Sequence, residues 1–481
     1  MADIKTKLVS GVFWESIGHF SSLGIQFVVT VIIARILTPA DFGVIGLLSV
    51  FTAISLIVLD SGFSVALIQN KNATQGDFSS VFFFNIILGL LLYSFFFIVS
   101  PYIAEFYDTP ELTKYARILF LIIPVTSFGL VQNVVLQKEL LFKKSAVAGI
   151  GSSAISGVIG IIMAYSGYGI MSLVCQQISM YLFRTLLYII QIHWMPTWKI
   201  SFEPIKRMFS FSVNLMLHSL INTIMKNIYT LIIGKFYSPR EVGYYSQAAR
   251  FENVSASTIT TIIMKVSFPA LASVQDDIIR VKGAYKKILS MTTFIISPLM
   301  VLLIIIAEPL FDFMLTEKWL PAAPYFQILC LYGLTMPIIQ ISYNVYKLYK
   351  KGKMLVTIDT CRHLLIIIAI IVTIKWGVSI MLFGQFIVMF IMSFVNMYFS
   401  GKLISYSVKE QLHTVSPYYL LAILTGIIVY LIPALNYGNF VSLVFLSLVF
   451  FIIYLVFTAV LKMSAFSEIS SIIKQFRSKL N

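Results

Sequence analysis

The sequence predicts an all-α polytopic membrane protein with about 14 transmembrane helices. Of its 481 residues, 59% are apolar and only 11% are charged, and the mean hydropathy is +0.91. Soluble domains carry about 45–50% apolar and about 25% charged residues. Even a domain of about 300 residues buries only about three quarters of its unfolded surface, so a water-soluble core cannot hide this excess. The composition therefore excludes a soluble enzyme, a nucleic-acid-binding protein and a receptor with a large extramembrane domain.

Hydrophobic runs separated by polar, glycine or proline breaks define fourteen predicted spans. About 20 apolar residues cross a bilayer as a helix, so each run is long enough for one crossing. The spans cover residues 12–36, 43–68, 79–103, 115–136, 146–165, 168–191, 208–234, 243–272, 286–307, 323–346, 355–374, 378–400, 416–434 and 440–461. The longest connection, 193–207, has 15 residues, which leaves no room for a soluble domain.

Basic residues predict the orientation of these spans. With the N-terminus in the cytoplasm, the cytoplasmic segments hold 23 Lys and Arg residues and the external segments hold seven. Lys and Arg concentrate on the cytoplasmic side of membrane proteins, so we expect both termini there. The net charge of +15 then mainly reflects topology. The basic tail, 462–481, is expected to lie on anionic lipid headgroups.

A sequence repeat at an offset of 200 residues predicts two six-helix lobes. The segment IIARILTPADFG (32–43) aligns with IIGKFYSPREVG (232–243). Identical pairs include Ile32/Ile232, Ile33/Ile233, Pro39/Pro239 and Gly43/Gly243. Each copy falls in the external turn after the first helix of its lobe, where proline and an acidic residue start a helix. Because six is even, the lobes share one orientation and are related by a pseudo-two-fold axis along the membrane normal.

The repeat also predicts the organisation of the chain. It comprises an N-terminal lobe over 1–192, a cytoplasmic linker over 193–207, a C-terminal lobe over 208–400, additional helices thirteen and fourteen over 401–461, and the basic tail over 462–481. Transporters built from parallel repeats bind their substrate between the two lobes. Polar side chains on the helices of both lobes are therefore candidate substrate contacts.

Nine charged side chains fall at membrane depth, where each costs about 2.5–3.5 kcal/mol on insertion scales. They are Glu15, Asp60, Arg184, Lys226, Arg250, Glu252, Lys265, Asp359 and Arg362. Each needs a polar lining or a partner of opposite charge. Asp359 and Arg362 are three residues apart in the eleventh span, which predicts a local ion pair.

Polar side chains follow one face of three predicted spans. The seventh span carries Asn214, His218, Asn222 and Lys226 at successive i, i+4 positions. The eighth carries Ser246, Arg250, Asn253, Ser257, Thr261 and Lys265. The first carries Glu15, His19, Ser22, Gln26 and Thr30. Because the first helix of each lobe bears such a face, we expect both faces to line a hydrated interior.

Two interpretations remain open for these faces. Hydrogen bonds of Ser, Asn and Gln pack membrane helices without any role in transport, and this interpretation is favoured for the neutral side chains. For Arg250, Lys226 and Lys265 a binding role is favoured, because three cations outnumber the nearby acids and Glu252 points to a different face. Asp60, which precedes Ser61-Gly62, fits helix packing and function equally.

The residue pattern indicates no metal site, no disulfide framework and no nucleotide-binding site. The five histidines and three cysteines form no ligand spacing, and the scattered cysteines indicate no disulfide framework. Among the histidines, His218 is the candidate proton carrier. No GxxxxGK[ST] motif occurs, so neither a cofactor nor direct use of ATP is expected.

Five sequence blocks occur in the order typical of a known transporter family. They are LDSGFSVALIQNKNATQGDFSSVFFFN (59–85), SPYIAEFYDTPELTKYARIL (100–119), LQKELLFKKSAV (136–147), SGYGIMSLVCQQ (166–177) and IIGKFYSPREVGYYSQAARF (232–251). They resemble bacterial polysaccharide flippases of the colanic-acid/teichuronic-acid exporter group, within the multidrug/oligosaccharidyl-lipid/polysaccharide exporter superfamily. Some members carry an acidic residue where this chain has Tyr229-Thr230, so an acid-based coupling step is not expected there.

The resemblance implies a protein of the bacterial inner membrane that moves undecaprenyl-pyrophosphate-linked oligosaccharide to the external leaflet. Alternating access would deliver repeat units for O-antigen, capsule or exopolysaccharide. The implied partners are this lipid-linked oligosaccharide, membrane lipids, and the polysaccharide polymerase and chain-length machinery. No nucleic acid is implied.

With this substrate, the charged and polar faces predict a binding site. The residues expected to bind the pyrophosphate or the sugars are Arg250, Lys226, Lys265, Asn214, His218, Asn222, Asn253 and Gln26. Secondary or coupling residues are Glu15, His19, Asp60, Arg35 and Lys235. Cationic side chains meet a diphosphate through charge-assisted hydrogen bonds, and neutral polar side chains replace the hydration of sugars.

Other functions remain as alternatives. A drug or metabolite cation antiporter of the same superfamily would require unpaired acids in its cavity, where only Glu15 and Asp60 are available. A flippase for the peptidoglycan lipid precursor would meet the same physical requirements and would differ from this chain only in its sequence motifs. A membrane glycan polymerase or ligase would present a sizeable external loop with catalytic Arg or His, whereas the external loops here are short and contain no His. A membrane scaffold would not explain the interior cations.

Overall fold

The chain folds into helices throughout its described part. The computed structural model describes residues 2–198, 201, 203–257, 267–432, 439–463, 465–466 and 468, and every regular element within them is helical. This confirms the predicted all-α class, since a helix satisfies its backbone hydrogen bonds within one segment, as lipid requires. The chain divides into two compact units, Met1–Ser246 and Gln247–Asn481.

The first unit is built from ten helices in its described residues and contains the start of the next. They are α1 (Ala2–Ile36), α2 (Pro39–Asp60), α3 (Phe63–Gln69), α4 (Gln75–Phe106), α5 (Leu112–Leu119), α6 (Ile122–Ser127), α7 (Leu130–Lys138), α8 (Phe142–Tyr165), α9 (Ile170–Gln191) and α10 (Glu203–Phe236). Helix α1 packs along α8, α8 along α9, and α10 against α2, α3 and α4. Small residues permit the α1–α8 approach, because a β-carbon on Gly18 would lie 2.7 Å from the Ala146 Cβ.

The second unit takes up the chain within α11. Its described helices are α11 (Pro239–Glu252, which begins in the first unit), α12 (267–272), α13 (Ile278–Ile305), α14 (Ala307–Leu315), α15 (Ala323–Leu348), α16 (Gly352–Thr373), α17 (Val378–Ile404), α18 (Val408–Tyr430) and α19 (Asn439–Val460). A π-helical turn, Asn253–Ser257, follows α11, and short 3-10 turns lie at Glu317–Ala322 and Ile374–Trp376. Helices α18 and α19, which correspond to predicted spans thirteen and fourteen, pack against α13.

The two repeated turns start helices as the sequence predicts. At the first turn, the Thr38 side chain and Asp41 form a reciprocal capping box, and Pro39 occupies the first turn of α2. At the second turn, α11 begins at Pro239 and the backbone amide of Glu241 donates to the Ser238 hydroxyl, 3.3 Å away. A capped, proline-started first turn satisfies backbone amides that would otherwise lack partners.

Twelve helices in the described residues are long and apolar enough to cross a membrane. A thirteenth crossing is possible over Leu112–Ser127 and Leu130–Lys138, which are bent by 44° at the break between them. This broken pair replaces the continuous helix expected over 115–136. The predicted span 243–272 includes residues outside the described part, so the total of fourteen stays a prediction.

The connection between the predicted lobes is bound to the start of α4. Trp194 Nε1 donates to Gln75 Oε1 at 2.6 Å, and the Thr197 amide donates to the Ser79 hydroxyl at 2.9 Å. In the second turn of α10, Arg207 forms an ion pair of 3.1 Å with the buried carboxylate of Asp77. These contacts place α10 in the first unit; the lobe boundaries at 192 and 208 stay a prediction.

Candidate functional site

The polar face of α1 divides between exposed and packed side chains. Glu15 and His19 are exposed, whereas Gln26 Nε2 donates to the Ser153 hydroxyl on α8 at 3.2 Å. The Thr30 hydroxyl is buried and donates to the backbone carbonyl of Gln26. Gln26 therefore participates in helix packing, the interpretation favoured for the neutral residues, while Glu15 and His19 remain accessible.

The polar face of α10 is continuous and open. Asn214, His218 and Lys226 are exposed, and Asn222 is half-buried. The side-chain amide of Asn222 lies 3.0 Å from His218 Nε2 and donates to the His218 carbonyl. Within the described residues Lys226 makes neither a hydrogen bond nor an ion pair. Helix α10 thus presents an ammonium group at membrane depth together with amide and imidazole groups.

The polar face predicted for the eighth span continues along α11 only to the end of this helix at Glu252. Arg250 and Asn253 are exposed, and the Asn253 side chain donates to the Ala249 carbonyl at 2.7 Å. Since the α-helix ends at Glu252 and a π-helical turn follows, the α-helical spacing predicted through Ser257 is wrong from this point. π-helical turns widen the hydrogen-bond spacing to i→i+5 and are frequent at functional sites. Lys265 lies outside the described residues.

Glu252 lies on a different side of α11 from Arg250, as expected. Its side chain is buried, and a β-carbon on Gly333 of α15 would lie 3.4 Å from Glu252 Oε1. The same β-carbon would lie 2.7 Å from the Met300 sulfur. Glu252 is therefore enclosed by helices of the second unit.

Asp60 occupies a helix break. Helix α2 ends at this residue, and the Ser64 hydroxyl of α3 donates to its carboxylate. Ser61 and Gly62 adopt left-handed conformations, with φ of 46° and 72°. A β-carbon on Gly62 would lie 2.6 Å from the Ser212 carbonyl oxygen of α10, so only glycine allows this approach. These contacts favour the helix-packing interpretation of Asp60 over a role in coupling.

Arg35 and Lys235, the cations of the repeated turns, differ in their surroundings. Arg35 is exposed, whereas Lys235 Nζ donates to the Phe106 carbonyl at 2.7 Å and lies 3.4 Å from the Asp108 carboxylate. Tyr107 follows α4 between these two partners, and burial raises its pKa to about 12, so its hydroxyl stays neutral. Lys235 therefore caps the C-terminal end of α4.

The ion pair expected in the eleventh span is confirmed. Arg362 lies 2.6 Å from the Asp359 carboxylate on α16, and the Tyr343 hydroxyl of α15 donates to the same carboxylate at 2.7 Å. His363 Nε2 lies 2.9 Å from the Arg362 guanidinium. Both charges of the pair thus have partners, which favours a structural role.

One cation at membrane depth was left out of the predicted site. Arg184 of α9 lies over the Tyr181 ring at 5.7 Å, and its buried Nε has no hydrogen-bond partner in the part of the chain that the structure describes. The signal available in the sequence is the i−3 and i+4 placement of Tyr181 and Tyr188 around Arg184. In the described residues, no three His, Cys, Asp or Glu side chains are grouped so that they could hold a metal ion.

These features define a class of protein: a multi-pass membrane protein whose helices carry cations and hydrogen-bonding side chains at membrane depth. The chain belongs to the family described as polysaccharide biosynthesis protein, whose model matches residues 32–324. The polysaccharide-related family indicated by the sequence blocks is thereby confirmed.

Two relatives and one solved structure are similar to this chain over most of its length. It is 27% identical to the teichuronic acid biosynthesis protein TuaB of Bacillus subtilis, over 69% of this chain and 70% of the relative. It is 26% identical to the succinoglycan biosynthesis transport protein ExoT of Rhizobium meliloti, over 66% of this chain and 64% of that relative. The inward closed structure of the lipid II flippase MurJ matches with a TM-score of 0.72 at 19% identity, over 93% of this chain and 98% of that one. This last likeness shows a shared fold.

Proposed function

We propose that this protein is a flippase for undecaprenyl-pyrophosphate-linked oligosaccharide repeat units. It moves them from the cytoplasmic to the external leaflet by alternating access, for assembly of a cell-surface polysaccharide. Membership of the polysaccharide biosynthesis family supports the pathway class. The single observation that carries the substrate assignment is Lys226, an exposed ammonium group at membrane depth without a hydrogen bond or ion pair in the described residues.

The chemistry of this substrate fits such a cation. A diphosphate ester and a hydroxyl-rich glycan both lose hydration when they leave water, and neither enters hydrocarbon unaided. Ammonium and guanidinium groups replace the water around the diphosphate through charge-assisted hydrogen bonds. In this proposal Lys226 and Arg250 bind the pyrophosphate, with Lys265 assisting them. Asn214, Asn222 and Asn253 contact sugar hydroxyls, whereas Gln26, which was expected among them, donates to Ser153 and is assigned to helix packing.

Several groups are assigned secondary roles. His218, which lies beside Asn222, is the candidate proton carrier, because histidine changes charge near neutral pH. Glu15, His19 and Asp60 are coupling candidates, and Arg35 and Lys235 assist release of the headgroup. An inside-negative membrane potential favours outward movement of an anion by about 2.3 kcal/mol per charge per 100 mV.

The proposed location is the cytoplasmic membrane of a bacterium, with both termini in the cytoplasm. The positive-inside distribution of Lys and Arg supports this orientation. The partners we propose are membrane lipids and the polymerase and chain-length machinery, which would receive the flipped repeat units on the external side.

The cation antiporter is the second candidate. It is supported by the exposed carboxylate of Glu15 on α1. It is disfavoured by Asp60, which accepts a hydrogen bond from Ser64, and by the buried position of Glu252. A cavity that binds cations needs accessible acids, and the open face of α10 carries a cation instead.

Deletion of the gene tests the function directly. We expect lipid-linked repeat units to accumulate on the cytoplasmic face of the membrane, and the intact chain to restore their export. Accessibility of the glycan to an impermeant lectin, with and without permeabilisation, distinguishes the two faces. Unchanged glycan export in the deletion strain, together with loss of drug resistance, would favour the antiporter.

A further inference from the structure

Helix α9 has one apolar face and one polar face. The exposed apolar side chains are Leu182, Leu186, Ile189 and Ile190. At about 100° per residue, the polar side chains Gln177, Tyr181, Arg184 and Tyr188 fall within a narrow arc on the opposite side. A helix with this pattern turns its apolar face to lipid and its polar face to the protein interior.

Contacts of α9 support this orientation. Gln177 Nε2 lies 3.5 Å from the Ser49 hydroxyl of α2, at the N-terminal end of the polar face. Beside the face, the Thr185 hydroxyl donates to the Val125 carbonyl of α6 at 3.3 Å. The polar face of α9 is thus directed toward the other helices of the first unit.

Arg184 lacks the partners that a charge at this depth requires. Its Nε is buried without a hydrogen bond, and its guanidinium makes no ion pair within the described residues. The nearest contact that stabilises the cation is the Tyr181 ring at 5.7 Å. Arg362, by contrast, lies 2.6 Å from the carboxylate of Asp359. An unpaired membrane-depth cation that faces inward is by default a candidate functional site.

The groups around Arg184 suit a glycan with a negative charge. The charges of Glu15 and Arg184 both act on the Tyr188 hydroxyl. Glu15 is exposed, however, and forms no ion pair with Arg184. The Tyr181 hydroxyl makes no hydrogen bond in the described residues. A guanidinium presents a planar fork of donors that matches a carboxylate or a phosphate, and tyrosine adds an apolar ring and a hydroxyl.

We infer that Arg184 and Tyr181 form an oxyanion subsite in the first unit for the lipid-linked glycan. This inference rests on the proposed function. It adds a second site that binds an anionic group of the substrate, besides the one assigned to Lys226 and Arg250. The ligand group is either the carboxylate of an acidic sugar or the pyrophosphate of the carrier lipid. Both are oxyanions, and substrates with and without an acidic sugar tell them apart.

Export in two flippase-deficient strains tests the subsite. One strain makes a repeat unit with an acidic sugar and the other a neutral repeat, both on undecaprenyl pyrophosphate. We expect Arg184→Gln to lower export of the acidic repeat at least about 10-fold, and Arg184→Lys to retain more activity. An equal fall for both repeats assigns the pyrophosphate, and a selective fall assigns the sugar carboxylate. Wild-type export of both repeats by Arg184→Gln overturns the subsite.

A matched control and a second variant keep the test decisive. Arg117→Gln removes an arginine of the same unit that lies 4.4 Å from the Phe97 ring and donates to the Ser100 hydroxyl, and we expect normal export. Tyr181→Phe keeps the ring and removes the free hydroxyl, with an expected 2- to 5-fold fall. If Arg184→Gln does not reach the membrane, wild-type export by both Arg184→Lys and Tyr181→Phe overturns the subsite.

Binding to purified protein separates this inference from the proposed function. The probes are undecaprenyl pyrophosphate, an alkyl glucuronide and the matching alkyl glucoside, each added to the full chain in detergent. We expect at least one anionic probe to raise the Tm of the wild type and not of Arg184→Gln, while the glucoside raises neither. Equal shifts in both proteins, or no shift with any probe, overturn the subsite whatever the export assay shows.

Discussion

Gly43 and Gly243 lie in direct backbone contact at the start of α2 and α11. A β-carbon on Gly43 would lie 1.6 Å from the Pro239 carbonyl oxygen, and one on Gly243 would lie 1.8 Å from the Pro39 carbonyl oxygen. The contact is reciprocal, as a two-fold relation between the two turns requires. The residues that the repeat aligns in sequence are therefore the ones that meet in space, and both must be glycine.

Substitution at this contact should destabilise the protein. Gly43→Ala and Gly243→Ala each place a methyl group inside the van der Waals radius of a backbone oxygen, so we expect a loss of about 2–3 kcal/mol or more. Gly24→Ala is the control, because no atom lies within 4 Å of its added β-carbon and alanine favours a helix. Thermal unfolding in detergent measures all three. A normal Tm for Gly43→Ala would contradict the close approach.

Loss of the proposed pyrophosphate cations should abolish transport without affecting the fold. We expect Arg250→Ala and Lys226→Ala each to reduce glycan export at least about 10-fold at a normal protein level, because each removes a charge-assisted contact worth about 1.5–3 kcal/mol. The control variants are Arg240→Ala, in the first turn of α11, and Lys402→Ala, in the last turn of α17. Each removes an exposed cation elsewhere in the protein, and we expect normal export. Wild-type export by both site variants would refute the assignment.

The ion pair on α16 should behave as a structural unit. Arg362→Gln leaves the Asp359 carboxylate largely buried without its cation, and we expect a loss of about 3 kcal/mol. Asp359→Asn combined with Arg362→Gln removes both charges and should recover most of the stability. A double-mutant cycle based on thermal unfolding measures the coupling. Additive losses would show that the two charges do not stabilise each other.

The orientation of the chain is open to a direct topology test. Four exposed lysines lie at the end of α15, in the turn after it and at the start of α16: Lys347, Lys350, Lys351 and Lys353. By the positive-inside rule, a reporter fused after Lys351 should read as cytoplasmic, and one fused after Lys318 as external. Phosphatase and fluorescent-protein fusions give opposite signals on the two sides. Reversed signals at both positions would invert the proposed direction of transport.

Much of the fold was accessible from the sequence, because lipid imposes a simple rule. A backbone inside hydrocarbon must satisfy its own hydrogen bonds, so each long apolar run becomes a helix. Residues 146–165 were expected as a span, and α8 covers Phe142–Tyr165. The capped turn at Thr38 and the Asp359–Arg362 pair follow equally from local spacing. All of these depend on residues that are close in sequence.

Other features depended on contacts between distant residues. The break between α6 and α7 and the π-helical turn after Glu252 carry no strong signal in the hydropathy pattern. A sequence pattern shows that Gln26 is polar and at membrane depth, but only packing decides that it bonds to Ser153, 127 positions away.

The same distinction between local sequence and tertiary contacts applies to the charged residues. The sequence alone determined that this chain crosses a membrane many times and that two matched turns start equivalent helices. Only the tertiary structure decided what surrounds the other membrane-depth charges: Glu252 is buried among helices of the second unit, whereas Arg184 faces inward from α9 beside the Tyr181 ring. The physical reason is that insertion into lipid depends on local composition, whereas neutralisation of a charge depends on which helices pack beside it.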